Sequence, residues 1–564
     1  MGFERVLVAN RGEIARRVMR SCRARGLSTV AVYSDADAGA RHVAEADVAV
    51  RIGAAPAAES YLRGDRIVAA AKRCGAEAVH PGYGFLAENA GFAQAVIDAG
   101  LVWIGPRPET IRAMGDKAAA RALMAKRGVP VAPGYAGEDQ DDARLIAEAV
   151  AIGFPLLVKA AAGGGGKGMH VVEAAEMLPA AIAGARRVAA SAFGDGRLIL
   201  ERYITSPRHI EVQIVGDTHG RVVHCFEREC SVQRRFQKII EEAPSPMVDE
   251  ALRAKLCEAA LTAGEALGYV GAGTVEFIAA PDGAFYFLEV NTRLQVEHPV
   301  TEAITGLDLV ALQLDVAMGG AVPPQAAITR RGHAIECRVY AEDPAQGFLP
   351  QTGTVVEWAE PSGVRVDAGV AEGDAVGIHY DPMLAKLVAW GEDRARATGS
   401  MIGALRGLGV AGLVTNRAFL LDVLRHPAWA AGALSTHFIG DHLPGWAPAV
   451  DVGAPAAAGA VAAALWDAGA AAASAGRGVR AGVAQQPGRA AGRYVALDGV
   501  EVAVAYRAAG AGYGGVQASD SATWAVTVAV EGRRLWLTVD EGDGLAVRHG
   551  LWVGRGRAAA CARR

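Results

Sequence analysis

The chain has 564 residues, too many for one hydrophobic core and enough for roughly three to five domains. It is 51% hydrophobic and 21% charged, a globular balance, and its formal net charge of −4 leaves no basic field to draw nucleic acid. Seven cysteines, at 22, 74, 225, 230, 257, 337 and 561, are scattered with no Cys-x-x-Cys pair, which argues against a zinc site or disulfide framework and for a reducing, cytoplasmic setting.

The first strand, residues 4–9, starts with no visible secretory leader before it, and no apolar run reaches membrane-spanning length. Asn10-Arg11-Gly12-Glu13 turns into a helix over 14–25, and 28–33 is a second strand. A helix near 61–73, a strand at 77–80, a helix near 90–99 and a strand at 101–105 continue the alternation. Such repetition predicts a parallel sheet covered on both faces, with ligands at the strand carboxyl ends. Two turns lie there, 10–13 and His80-Pro81-Gly82-Tyr83-Gly84-Phe85. Their glycines suit backbone approach to an anion, and equally an ordinary tight turn.

Asp116-Lys117 opens a helix to about Arg127, and the Gly/Pro-rich 128–134 marks a boundary. Residues 154–159 form a strand ending in Lys159. Gly163-Gly164-Gly165-Gly166-Lys167-Gly168-Met169 is a glycine loop, and Val171-Val172 resumes a strand. Exposed amides with Lys167 would cradle polyphosphate. The pattern is not Walker A, since Gly-Lys-Ser/Thr is absent and strand follows. A strand over 198–204 carries Glu201, which with nearby main chain at Tyr203 and Ile204 could read an adenine edge, although by itself the segment reads as structural.

His209–Ile214 alternates as a strand, and the polar, basic stretch 229–238 reads either as a site or as a solvated face. A helix over 248–266 precedes the strand 271–277. Phe285-Tyr286-Phe287-Leu288 reads as a buried strand, from whose end Glu289 and Asn291 project to one side. Pairing of these strands puts Glu276 beside Glu289, an arrangement that costs energy unless a cation lies between them. Oxygen ligands on one face suit a hard divalent ion that also holds phosphates. Arg293 is a planar fork for a small oxyanion, and Glu297 is a further carboxylate able to act as a base. A helix over 302–318, a strand bearing Arg338, a strand to Trp390 that Lys386 precedes, and helices at 391–406 and near 416–425 follow. Residues 453–475 read as a linker and 493–553 as a small β-rich module.

Residues 1 to about 445 resemble biotin carboxylase, of the ATP-grasp superfamily. The motifs that carry the likeness are residues 8–15, 80–84, the glycine loop 163–169, Glu241-Glu242-Ala243-Pro244-Ser245-Pro246, residues 289–299 and Tyr340-Ala341-Glu342-Asp343. The resemblance implies a multidomain α/β fold: a Rossmann-like N-terminal unit (1–114), linker helices with an ATP-grasp lid (115–204), the central and C-terminal carboxylase region (205–445), a linker (446–490) and a β-rich module (491–564). It implies that ATP phosphorylates bicarbonate and that biotin's ureido nitrogen takes the resulting CO₂. By the same likeness Lys117, Lys159, Gly164, Gly165, Gly166, Lys167, Gly168, Met169, Glu201, Tyr203, Ile204, His209 and Gln233 hold ATP. Glu276, Glu289 and Asn291 bind Mg²⁺ or Mn²⁺, with two ions expected. Lys238, Arg293, Gln295 and Val296 hold bicarbonate, Glu297 deprotonates it, and Arg338 stabilises the biotin enolate.

Family members usually carry His where this chain has Phe236, which predicts weaker nucleotide binding. The C-terminal segment resembles the linking region of acyl-CoA carboxylase α subunits. The last lysine is Lys386, so biotin is expected on a carrier protein from another chain, or the sequence is truncated or frameshifted relative to a carrier-bearing subunit. A carboxyltransferase β subunit and a homo-oligomer are the other expected partners, and neither nucleic acid nor membrane is expected. The alternative reading is another ATP-grasp ligase, such as a carbamoyl-phosphate or peptide-forming enzyme. Carbamoyl-phosphate synthesis predicts an internal duplication, yet there is one glycine loop and one Glu-x-Asn-x-Arg.

Overall fold

Aliphatic runs such as Val6-Leu7-Val8 and Val30-Ala31-Val32 have no polar face to give to water, and in the computed structural model they are fully buried strands of a five-stranded parallel sheet. The structure describes residues 2–161, 169–234 and 237–447, and the backbone of six later strands between 483 and 552. The parallel sheet runs Val48–Gly53, Ser28–Ser34, Arg5–Val8, Ala78–His80, Val102–Trp103. The strand Val48–Gly53 was not evident from the sequence, because its charged Arg51 interrupts a short apolar run and pairs with Asp35.

The turns at 10–13 and 80–85 dock on each other. Asn10 Nδ2 donates to the carbonyls of Pro81 and Tyr83, both at 2.7 Å. Gly82 has φ +64°, and a Cβ there would meet Asn10 Nδ2 at 2.9 Å. This glycine is therefore required by turn geometry and close packing together.

The lid sheet runs Gly134–Tyr135, Leu198–Arg202, Leu156–Ala160, His170–Val172. Helices Asp142–Ile152 and Leu178–Phe193 pack on it through Leu145, Ala149, Ile182 and Ala185. Both are Ala-rich, so their apolar stripe has little contrast in the sequence. The expected hairpin flanking the glycine loop is present, with Leu156 opposite Val172. The loop's Gly164, Gly165, Gly166, Lys167 and Gly168 lie outside the described residues, as does Phe236.

The central sheet has eight strands, in the order Phe285–Asn291, Gly271–Ala279, Arg208–Gly216, Val222–Arg234, Gln237–Ala243, His333–Tyr340, Met383–Gly391, Arg365–Ala368. The stretch 229–238 is a hairpin inside this sheet, with Cys230, Ser231 and Gln233 buried, not a solvated face. Lys386 lies within the strand Met383–Gly391 and does not precede it. The single helix expected over 302–318 is two, His298–Thr305 and Leu309–Ala317. Gly306 stops the first in the left-handed region, and Asp308 caps the second by accepting from the amide of Ala311. The later strands form a six-stranded antiparallel sheet, in agreement with the β-rich reading of 493–553. Among the described residues no helix is long and apolar enough to cross a membrane.

Candidate active site

Three neighbouring strands of the central sheet place Glu211, Glu276 and Glu289 in register, Glu211 opposite Glu276 and Glu276 opposite Glu289. Side chains at directly opposed positions share a face, so three acids converge. Glu211 and Glu276 are buried, and Lys238 answers both: its Nζ lies 2.6 Å from Glu211, 2.9 Å from Glu276 and 2.7 Å from Glu297. Arg228, fully buried, adds a second cation on Glu211.

Glu276 is the hub. Its Oε1 accepts from Asn291 Nδ2 and Gln295 Nε2, both at 2.8 Å, while its Oε2 lies 2.8 Å from His209 Nε2. Burial alone would raise the Glu276 carboxyl, but Lys238 and then His209 outweigh it and hold it well below the usual range. Gln233 reaches His209 Nδ1 at 3.3 Å. Arg293 donates to Asn291 Oδ1 at 3.0 Å and to Glu88 at 2.9 Å.

Glu297 stands between two cations, Lys238 and Arg338 Nη2, the latter at 3.1 Å. Burial opposes its charge, yet Lys238, Arg338 and Arg228 together lower its proton affinity. Val296 contributes its carbonyl, which accepts from the buried ammonium of Lys386 at 2.8 Å. Arg338 also forms an ion pair with Glu241.

On the nucleotide side Lys159 and Glu201 pair at 2.6 Å across adjacent lid strands, and Lys117 reaches Glu289 at 3.0 Å from the first turn of its helix. Tyr203 stacks on His437, and its amide bonds to the carbonyl of Pro155. Ile204 and Met169 are half-buried at the edges of the lid. The structure thus links Glu276, Asn291, Gln295, Glu297, Lys238, His209, Gln233, Arg293 and Arg338 in one network. Lys159 and Glu201 form a separate cluster on the lid.

Glu211, Arg228, Glu88 and Glu241 were missed from the sequence. Glu211 shares strand parity with His209, a signal that was available; Glu88 lies about 200 positions from Arg293, and nothing local announces it. For a divalent ion the donors fit. Glu276, Glu289 and Asn291 offer oxygens from facing strands, and the buried Oε1 of Gln295 nearby has no hydrogen-bond partner among the described residues. His209, Glu211 and Glu276 also bring ligand atoms within 4.8 Å of one another.

Three family models match consecutive parts of the chain: "Biotin carboxylase, N-terminal domain" over 2–111, "Carbamoyl-phosphate synthase L chain, ATP binding domain" over 116–324 and "Biotin carboxylase C-terminal domain" over 336–441. A methylcrotonoyl-CoA carboxylase subunit alpha of Oryza sativa is 54% identical over 441 residues, 77% of this chain and 60% of that protein. The chain thus spans about three fifths of that relative's length. A biotin carboxylase of Halalkalibacterium halodurans is 48% identical over 444 residues, 78% of this chain and 98% of that one. Among solved structures, the biotin carboxylase domain dimer of Hydrogenobacter thermophilus 2-oxoglutarate carboxylase, with MgADP, ADP and bicarbonate, superposes with TM-score 0.77 at 42% identity, covering 80% of this chain and all (100%) of that one. A Campylobacter jejuni biotin carboxylase in a βγ-ATP complex gives TM-score 0.76 at 43% identity, over 78% and 99%. With near-complete coverage of a 48%-identical relative added to the site geometry, the chain belongs to the biotin carboxylase family.

Proposed function

We propose that this chain carboxylates biotin, using ATP and bicarbonate, as the first half-reaction of an acyl-CoA carboxylase. The observation that carries this reading is Glu297 held ionised between Lys238 and Arg338, on the loop that also presents Arg293, Gln295 and Val296. A bicarbonate anion settling there competes for Lys238 and Arg338. As it draws those cations away, Glu297 loses the charges that suppress its basicity and can take the bicarbonate proton. The bicarbonate oxygen then bonds to the γ-phosphorus of ATP as the bond to ADP breaks, giving carboxyphosphate. This breaks down to CO₂ and phosphate, and biotin's ureido nitrogen gives up its proton to that phosphate and bonds the CO₂, with Arg338 beside the developing enolate oxygen.

Glu276, Glu289 and Asn291 would hold Mg²⁺ or Mn²⁺, which when bound neutralises the phosphate oxygens. Lys117, Lys159, Glu201, Tyr203, Ile204, His209, Gln233, Met169 and the glycine loop would position the nucleotide. The lid would exclude water from the labile mixed anhydride. The biotin would come on a carrier protein of another chain, with a carboxyltransferase β subunit and a second copy of this chain as further partners. Free cysteines at all six described positions support a cytoplasmic setting. The test is ATP hydrolysis measured with and without bicarbonate and free biotin. We expect bicarbonate to be required and biotin to accelerate turnover; hydrolysis indifferent to both would remove the reading.

A further inference from the structure

The motif Glu241-Glu242-Ala243-Pro244-Ser245-Pro246 has acids with no part in the roles above. Glu242 is occupied structurally, by His333 at 2.6 Å and Arg394 at 2.7 Å. Glu241 turns toward the site, fully buried, with its carboxylate against the Arg338 guanidinium. Opposite Glu241 in register stands Glu336, also fully buried, and neither of its oxygens has a hydrogen-bond partner among the described residues. Arg338 is two positions along the same strand, on the same face as Glu336, and Lys386 is directly across from Arg338.

The charges do not balance if every group ionises. Arg338 and Lys386 are surrounded by Glu13, Glu241, Glu297 and Glu336, and Lys238 and Arg228 serve Glu211, Glu276 and Glu297. A buried carboxylate without hydrogen bonds is costly, and two facing each other across a strand pair repel. We propose that Glu241 and Glu336 are positioning residues for Arg338: a buried carboxyl pair sharing one proton and one negative charge, which holds the guanidinium toward Glu297 and sets how much positive charge it offers to biotin. This inference rests on the biotin reading above.

Burial pushes Glu241 up to about 7 against the pull of Arg338, and pushes Glu336 well above the usual range against Lys386. Lys238, Arg338 and Lys386 face the pair and favour its charge, and Glu297 opposes it. From the N-terminal unit, Tyr83 bonds to Glu13 and faces Glu336, its phenol kept neutral. The thiols of Cys230 and Cys337 adjoin the pair and stay protonated.

The experiment compares the full chain with Glu241→Gln and Glu336→Gln, both near-isosteric, for ATP turnover with bicarbonate alone and with added free biotin, from pH 6 to 9. Wild-type biotin-dependent turnover is expected to climb as pH rises through about 7, where Glu241 ionises and fixes Arg338. Glu241→Gln should lose that limb and about tenfold of the biotin-dependent rate, a larger loss than in biotin-independent turnover, where Arg338 is only one of the two cations on Glu297. If Glu241→Gln fails to fold, Glu336→Gln carries the test: its amide cannot share the proton, so the limb should move along the pH axis with Glu241 still able to fix Arg338, and an unmoved limb overturns the proposal. A biotin-dependent profile identical to wild type, or equal loss of both activities, overturns the proposal. If the wild-type chain itself ignores biotin, the biotin reading falls first and this proposal with it.

Discussion

Lys238 is the residue on which the site's electrostatics turn, since one ammonium compensates Glu211, Glu276 and Glu297. Removing a partner from a buried ion cluster leaves charge without compensation, typically at about 3–5 kcal/mol. Lys238→Met is therefore expected to lower the thermal midpoint and abolish bicarbonate-dependent turnover. A melting curve superimposable on wild type would refute the account of the cluster. Buried histidines give a separate, acid-side effect. Burial lowers His42 and His80 from 6.5 to about 4, overriding Asp37 at His42 and the Gln313 hydrogen bond at His80. Between these values the unfolded chain binds more protons than the folded one, so stability is lost as pH falls from about 6.5 toward 4. Denaturation midpoints measured across that window should drop, and His80→Asn should shallow the slope. These residues show how much of a site can be read locally: Glu297 and Arg293 were legible from one loop, whereas Glu211, a few positions from His209, gained its meaning only beside Lys238.

At the scale of elements, one strand pair sets the carboxylates of Glu276 and Glu289 opposite each other. Mg²⁺ with ADP is expected to raise the thermal midpoint of the wild-type chain by mass action, and Glu289→Gln should reduce that rise. An equal rise in both proteins would detach Glu289 from the ion. The turns at 10–13 and 80–85 carry a different constraint. Ala at Gly82 would have to adopt φ +64° and move Asn10, so Gly82→Ala should cost about 1–2 kcal/mol or more in chemical denaturation. The helices packed on the lid were not legible because alanine stripes resemble their surroundings. The lid strands Leu156–Ala160 and Leu198–Arg202 were legible, because each opens on a short continuous apolar run.

For the molecule as a whole, the network runs from Glu13 to Lys386, all within the region that the family models match. A chain ended after residue 447 is therefore expected to keep bicarbonate-dependent turnover within about twofold, since domains with their own cores function when separated. A loss well beyond that would mean that the later sheet supports the site. The sequence by itself determined the alternation that makes a parallel sheet, the Glu276–Glu289 register and the family, because periodicity and short motifs are local properties of the chain. Only the tertiary structure decided that Lys238 binds three carboxylates, that Arg293 leans on Glu88 and that Glu241 and Glu336 stand behind Arg338. The reason is physical: the state of a buried charge depends on which distant charges share its low-dielectric surroundings, and only folding brings those together.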